Sequence, residues 1–228
     1  LQLTPDQTKV SYWMAGQNGG LFTVPVAGGE PTRVLSLQGD LKDYWWSPDG
    51  RYVAYSETLL RSGYYYWDST SNIIIFDTTN GKSHDVTQLS AEHILPSFSP
   101  DGKYLFLRSN RSGPGLYAIP LNPEDAPAAE LQLKYEKPTG PVKTEISFDD
   151  IETRARRIIS TPPQSPILVD PNTGELYFLS GGDLWKAAYN GDEAKAVTQG
   201  AGFSSISGFN TEKTEIVAIR NGMPVTVE

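Results

Sequence analysis

Acid–base chemistry in this chain is limited by its two histidines, His84 and His93. His84 precedes Asp85, which resembles part of a catalytic triad only by adjacency, because successive side chains on a strand point to opposite faces. The segment 202–206, Gly-Phe-Ser-Ser-Ile, lacks the second glycine of a nucleophile elbow. The chain has no Cys, which excludes cysteine nucleophiles, disulfides and thiolate zinc sites. We therefore predict no catalytic residue in this chain.

Cofactor and metal motifs are equally sparse. Gly28-Gly29 and Gly181-Gly182 read as hairpin turns without a following helix, so neither can form a phosphate-binding loop. The acidic turn at 170–175 lacks the rest of a calcium-binding EF-hand loop, and no His-Glu-x-x-His zinc motif occurs. We predict no cofactor and no metal.

The composition is that of a globular domain with many turns. The 228 residues are 38% hydrophobic and include 21 Gly and 17 Pro, a mixture typical of short strands. The formal net charge of -8 repels phosphate backbones, so nucleic-acid binding is not expected. The longest apolar run, 73–76, is far too short to span a bilayer, and we expect no membrane association. The missing cysteines slightly favour a periplasmic over a cytoplasmic setting.

A repeated turn motif decides the predicted architecture. Ser47-Pro48-Asp49-Gly50 and Ser99-Pro100-Asp101-Gly102 each precede an apolar strand, and looser versions surround Pro5, Pro171 and Thr211. In this motif Pro presets φ, Asp suits the next position and Gly accepts positive φ, so each copy should form a hairpin tip. A second apolar strand and a polar outer strand follow most copies. Four strands per unit are typical of a propeller blade, so we predict an all-β propeller.

The predicted blades cover roughly 1–40, 41–92, 93–161, 162–203 and 204–228. The last of these lacks an outer strand, which gives four nearly complete blades and part of a fifth. The chain opens at Leu1 without an initiator Met, and neither end offers an outer strand that could latch a ring. Either the ring is closed by face packing alone or, as we expect, the chain is a piece of a larger ring of six to eight blades.

Two excursions interrupt the repeat. Residues 121–143 are rich in Pro, Ala and Glu and should form a flexible insertion, either a lid or a simple surface loop. The alternation of Val142, Thr144, Ile146 and Phe148 then predicts a returning strand. The other excursion contains four adjacent aromatic residues, Tyr64, Tyr65, Tyr66 and Trp67. They cannot all face one side of a strand, so they either bind a partner or divide between an inter-blade gap and the rim.

Three arginines concentrate positive charge in this acidic chain. Arg154, Arg156 and Arg157 could hold a carboxylate, such as a peptide end, in bidentate hydrogen bonds. The alternative is structural: Arg154 and Arg156 would share a strand face and pair with nearby acidic side chains. These arginines and the four aromatics are the candidate binding residues.

The blade repeat, seen in Trp46 to Ser56 and Phe98 to Leu105, resembles that of TolB-type propellers. More specific is the order of segments after it. A blade ending at 116–121 is followed by a Pro-rich excursion and then by Ile146-Ser-Phe-Asp-Asp-Ile-Glu-Thr-Arg154. This order resembles the closing part of the second, seven-bladed propeller of tricorn-type serine peptidases.

The resemblance implies a non-catalytic propeller that serves as scaffold or gate for oligopeptides. Its partners would be those peptides or the adjoining PDZ and peptidase domains of the same parent chain. None of the catalytic motifs of the family has a matching position here. Two alternatives stay open: a TolB-like protein-interaction propeller, and the propeller of a prolyl-oligopeptidase-like enzyme.

Overall fold

The structure is a computed structural model that describes residues 1–16, 18–37, 41–58, 70–88, 91–126, 133–210 and 214–227. The side chains of residues 41 and 42 are not described. Within these ranges, no helix has the length and apolar character needed to cross a membrane.

In the described part of the chain, nineteen strands form five antiparallel sheets, one for each blade. Blade 1 contains β1 (Gln2–Leu3), β2 (Lys9–Met14), β3 (Gly20–Pro25) and β4 (Thr32–Ser36). Blade 2 contains β5 (Leu41–Trp46), β6 (Tyr52–Thr58), β7 (Ser71–Asp77) and β8 (Lys82–Asp85). Blade 3 contains β9 (His93–Phe98), β10 (Tyr104–Ser109), β11 (Gly115–Pro120) and β12 (Arg156–Ile159).

Blade 4 contains β13 (Leu168–Val169), β14 (Leu176–Ser180), β15 (Asp183–Ala187) and β16 (Lys195–Ala196). Blade 5 contains β17 (Phe203–Phe209), β18 (Ile216–Arg220) and β19 (Met223–Val227). The predicted all-β propeller class is confirmed. The predicted count of four blades and a fragment is corrected to five blades, because the last strands pair into a sheet of their own with three strands in the described chain.

The repeated turns form as the sequence predicts. Ser47 donates from its hydroxyl to Asp49 at 2.6 Å and accepts the backbone N–H of Tyr52 at 2.9 Å. Ser99 makes the equivalent pair of bonds with Asp101 and Tyr104 at the same distances. The glycine that ends each of these turns has φ +71°, a conformation that disfavours any residue with a Cβ. A side-chain hydroxyl thus completes the backbone bonding where each inner strand turns back.

Apolar packing between neighbouring blades forms the core. Four buried clusters lie at the four successive blade boundaries, from blades 1 and 2 to blades 4 and 5. At the boundary of blades 3 and 4, the ring of Phe106 is fully buried and meets Tyr189 edge to face at 5.5 Å. In the described chain, no such cluster joins blade 5 to blade 1.

The long insertion lies between the third and fourth strands of blade 3. Leu133 is buried and Tyr135 packs on Tyr189 with ring centroids 5.1 Å apart, so residues 133–135 are anchored against blade 4. Residues 127–132 lie outside the described residues, and the flexibility of the insertion stays a prediction.

The strand predicted over 142–148 is wrong, because this stretch is extended but pairs with no sheet. Residues 142–154, here called the crossing segment, instead bridge blades 2 and 3. The N–H of Thr144 donates to Asp49 of blade 2 at 2.8 Å, and the N–H of Ser147 donates to the carbonyl of Leu121 at 3.0 Å. The Phe148 ring stacks on His84 at 3.8 Å. The alternating apolar side chains therefore pack on a blade boundary and not in a ladder.

The inter-blade packing makes a stability prediction. Phe106→Ala should lower the free energy of unfolding by about 3–5 kcal/mol, because it removes a buried ring from the blade 3–blade 4 cluster. Met14→Ala, at a side chain that is 43% exposed, should change it by less than about 0.5 kcal/mol. Urea unfolding followed by tryptophan fluorescence measures both. Equal losses would contradict this account of the core.

Candidate functional site

The first strands of all five blades surround one central cavity of about 660 Å³. Each blade contributes residues from its innermost strand or from the turn that follows it. This is the arrangement of a propeller, in which the inner strands converge on the ring axis. The cavity is therefore the place where residues distant in sequence meet.

The wall of this cavity is apolar and carries no charged side chain among the described residues. It is formed by aromatic and aliphatic side chains, the prolines of the turns and a few small polar residues. The aromatic members are Trp45, Trp46, Phe98 and Phe209. In a chain with a net charge of -8, an uncharged wall distinguishes the cavity from the rest of the surface. It suits uncharged, apolar ligand groups.

Trp45 occupies a distinctive place in this cavity. Its half-buried side chain packs against the blade 2–blade 3 cluster and also against the blade 4–blade 5 cluster. A single indole from blade 2 thus contacts both sides of the ring axis. Its neighbour Trp46 is held differently, since its indole N–H donates to Ser11 of blade 1 at 3.0 Å.

A second cavity, of about 390 Å³, lies between blades 1 and 2 and shares Pro5 and Trp46 with the central one. Its wall is more polar and includes the side chains of Asp6, Lys9 and Asp49. Hydrogen bonds from Thr4 and Thr8 lower the pKa of Asp6, so this carboxyl is ionised at neutral pH. The central cavity therefore has a charged cavity as its neighbour on one side.

The predicted arginine site is not assembled in the structure. Arg154 ends a 3₁₀ turn (Ile151–Arg154), not a strand, and its buried guanidinium donates to the carbonyls of Leu121 at 3.0 Å and of Ser147. Burial lowers the pKa of Arg154. Arg156 is exposed and donates to the carbonyl of Ala155 at 3.0 Å. In the described chain, neither Arg154 nor Arg156 pairs with its acidic neighbours. The guanidinium N–H groups of both residues donate to backbone carbonyls instead.

The remaining candidates divide between an exposed residue and an undescribed segment. Arg157 is exposed on β12 and lies beside Gly113 and Gly115 of the neighbouring strand and its turn. Tyr64, Tyr65, Tyr66 and Trp67 lie outside the described residues, so their role stays a prediction. Among the described residues, no group of three or more His, Cys, Asp or Glu side chains could hold a metal ion.

Sequence reasoning missed the residues of the central cavity. One signal was available, because an aromatic residue directly precedes the Ser-Pro-Asp-Gly motif at Trp46 and Phe98, and both line the cavity. The members from blades 4 and 5, such as Leu168 and Ile206, follow no such motif. Only the closing of the sheets around one axis brings them to the same wall.

The buried arginine gives a second stability prediction. Arg154→Ala should lower the free energy of unfolding by about 1–3 kcal/mol, because the carbonyl of Ser147 loses the Arg154 donor and that of Leu121 keeps only the N–H of Ser147. Arg156→Ala is the matched control and should cost less than about 0.5 kcal/mol, since its donors are exposed. Chemical denaturation measures both. An equal loss of unfolding free energy in Arg156→Ala and Arg154→Ala would contradict the stabilising role given to the buried guanidinium of Arg154.

Comparisons with known proteins find partial sequence relatives. No protein-family model matches the chain. It is 30% identical over 95 residues to dipeptidyl-peptidase 5 of Porphyromonas gingivalis, which covers 40% of this chain and 14% of the relative. It is 31% identical over 100 residues to tricorn protease of Thermoplasma volcanium, which covers 43% of this chain and 10% of the relative. The chain thus spans only a small part of the curated relatives it matches.

Solved structures match far more of the chain. The crystal structure of tricorn protease superimposes with a TM-score of 0.68 at 16% identity, covering 99% of this chain and 26% of that one. A TolB protein from Agrobacterium tumefaciens gives a TM-score of 0.61 at 15% identity, covering 86% of this chain and 63% of that one. This chain is therefore a β-propeller similar to propellers of tricorn protease and TolB.

Proposed function

We propose that this chain is a non-catalytic propeller segment of a multidomain, tricorn-like serine peptidase, where it acts as a scaffold or gate for oligopeptide substrates. The observation that carries the proposal is the central cavity, whose uncharged wall is formed by all five blades and crossed by Trp45. The sequence and structural similarities to tricorn protease support it. Peptide hydrolysis would be carried out by other parts of the parent protein.

The cavity has the chemistry that an uncharged peptide segment requires. Apolar side chains entering it would lose contact with water, which is worth roughly 25 cal/mol for each Å² of apolar surface. Charged side chains would lose hydration without gaining a partner on the wall. The cavity would therefore admit apolar stretches of a peptide in preference to charged ones, and Trp45 would narrow the passage.

We further propose that the five blades are an arc of a larger, seven-bladed ring. Every blade boundary inside the chain contains a buried apolar cluster, yet the described chain has none between blades 5 and 1. On blade 1, Leu3 and Met14 are 56% and 43% exposed and lie on the sheet face turned away from blade 2. On blade 5, Val217 and Ile219 are half-exposed on the face turned away from blade 4. Further blades would cover both faces.

Adjoining domains are the second class of partner in this proposal. A PDZ domain and a peptidase core of the same parent chain would dock on the ring, and the aromatic run at 64–67 stays a predicted contact for them. Two alternatives differ in what the parent chain contains. A TolB-like interaction propeller, favoured by the match to TolB, has no peptidase, whereas a prolyl-oligopeptidase-like enzyme has an α/β-hydrolase domain.

The proposed peptide site is tested by placing a charge in its wall. Ser207 is an exposed residue of β17 that lines the cavity. Ser207→Asp should weaken binding of a capped, uncharged Leu/Ala hexapeptide at least about tenfold, because the bound peptide would strip water from the new carboxylate. Isothermal titration calorimetry measures the dissociation constant.

Ser204→Asp is the matched control, since Ser204 is exposed on the same strand and does not line the cavity. It should leave the dissociation constant within about twofold, as expected for a surface change. Failure of the unaltered chain to bind the hexapeptide, or equal effects of the two substitutions, would contradict the proposed peptide site. The arc is tested separately by a structure of the parent chain: a closed ring with blade 5 packed on blade 1 would overturn it.

A further inference from the structure

One of the two histidines is buried, and its ring has no hydrogen-bond partner among the described residues. His93 begins β9 and is 0% exposed, and in this part of the chain neither Nδ1 nor Nε2 is bonded. The other histidine, His84, is half-exposed and stacks on Phe148. A buried imidazole without partners is tolerated while neutral, but its protonated form would have no solvation and no acceptor.

The backbone of His93 lies where the chain passes from blade 2 to blade 3. Ser71, at the start of β7, donates from its hydroxyl to the carbonyl of His93 at 3.0 Å and accepts the N–H of His93 at 3.3 Å. The N–H of Ser71 also donates to the carbonyl of Ala91 at 3.2 Å. These three bonds fasten residues 91–93 to blade 2, and the imidazole is buried behind them.

Several unpartnered polar atoms share this place. The buried side-chain oxygens of Thr58, Thr70 and Asn72 also lack hydrogen-bond partners among the described residues. Thr58 and Ser71 face each other across the β6–β7 ladder, and Glu57 faces Asn72. The seam, defined here as residues 57–58, 70–72, 85 and 91–93, thus holds five buried side-chain atoms without a partner in the described chain, both ring nitrogens of His93 among them.

The charges near the seam lie on four strands, β5, β6, β8 and β10, in the turn after β10 and at Glu92. Arg111, in the turn between β10 and β11, disfavours a second positive charge, whereas Asp85 of β8 favours one. Glu57 of β6 interacts with Asp85, and Glu92 is paired with Arg108 of β10 at 3.2 Å. Asp43 of β5 accepts the N–H of Leu95 at 2.8 Å. In the described seam, no carboxylate is bonded to the imidazole itself.

We propose that His93 is an acid-sensitive latch: its protonation opens the seam between blades 2 and 3 locally, without unfolding the ring. The inference is independent of the proposed peptide function, because it rests only on the burial and bonding of the seam. Opening exposes the imidazole to water and separates it from Arg111. The three hydrogen bonds that join Ser71 to His93 and Ala91 are lost in the open form.

The direction of the effect follows from proton linkage. Burial, together with the charge of Arg111, lowers the pKa of His93 from 6.5 to about 4. The open form, with a solvated ring, binds the proton more tightly than the closed form. Opening therefore becomes more favourable as the pH falls below about 6.5 and levels off below about 4, a rise of about 20-fold between pH 7 and pH 5.

Glu57 acts in the opposite direction. Burial and the nearby Asp85 raise the pKa of Glu57, so its protonation stabilises the closed seam as the pH falls. The pH dependence of the unaltered chain is a sum of the two effects. A comparison of histidine variants isolates the contribution of His93.

Amide hydrogen exchange tests the latch in the full chain at pH 7 and pH 5, after correction for intrinsic exchange rates. The amides of Ser71 and His93 should show an opening constant about 20-fold larger at pH 5, while core amides such as that of Phe106 keep their protection. His93→Leu should abolish most of this rise, because leucine fills the site without a titratable group. His84→Leu is the matched control and should retain it.

A direct titration keeps the proposal falsifiable even where His93→Leu does not fold. The chain has two histidines, so the two ring Cε1–H signals can each be followed by NMR and assigned with the His84 variant. An apparent pKa well below 6 for His93 supports the latch. A value near 6.5, or a seam that opens equally at both pH values, would overturn it.

Discussion

The structure depends on apolar packing between neighbouring blades. A single antiparallel sheet cannot bury both of its faces, and each blade here covers one face of the next. Blade 2 shows the consequence, since Val53 is fully buried in the cluster shared with blade 1, whereas Ala54, Ile73 and Ile75 are fully buried in the cluster shared with blade 3. A blade inside the row is therefore stable only between two others. The uncovered faces of blades 1 and 5 likewise need another sheet packed on them.

Hydrogen bonds at the turns fix how the blades are oriented around the axis. Ser47 and Ser99 complete the inner turns, and Asp49 adds a bond to the N–H of Thr144 in the crossing segment. The crossing segment then carries Arg154, whose guanidinium holds two carbonyls of blade 3 and of the segment itself. The boundary between blades 2 and 3 is consequently reinforced on the turn side by the crossing segment, and at the boundary of blades 3 and 4 the hydroxyl of Tyr189 donates to Asp101 in the equivalent turn. The opposite side of the boundary between blades 2 and 3 holds the imidazole of His93, which is unpartnered among the described residues.

The two sides of the boundary between blades 2 and 3 therefore differ in rigidity. The turn side combines the hydrogen bonds of the crossing segment with buried rings, including the stack of Phe148 on His84. Single side-chain atoms of Arg51, Thr144 and Arg154 lack a partner there in the described chain. The seam around His93 combines burial with unsatisfied polar atoms, a combination that lowers the cost of local opening. Trp45 of the central cavity packs on the cluster of this same boundary.

The amino-acid sequence by itself determined the blade architecture of this protein, because the Ser-Pro-Asp-Gly turns and alternating strands are local signals with local causes. The alternation at 142–148 led to a wrong strand prediction, because a local pattern of alternating burial also arises in a segment that packs on a blade boundary without pairing. Tertiary structure alone decided the cavity, the bonding of Arg154 and the burial of His93. These depend on contacts such as that of Trp45 with blades 4 and 5, between residues over a hundred positions apart, which no local pattern encodes.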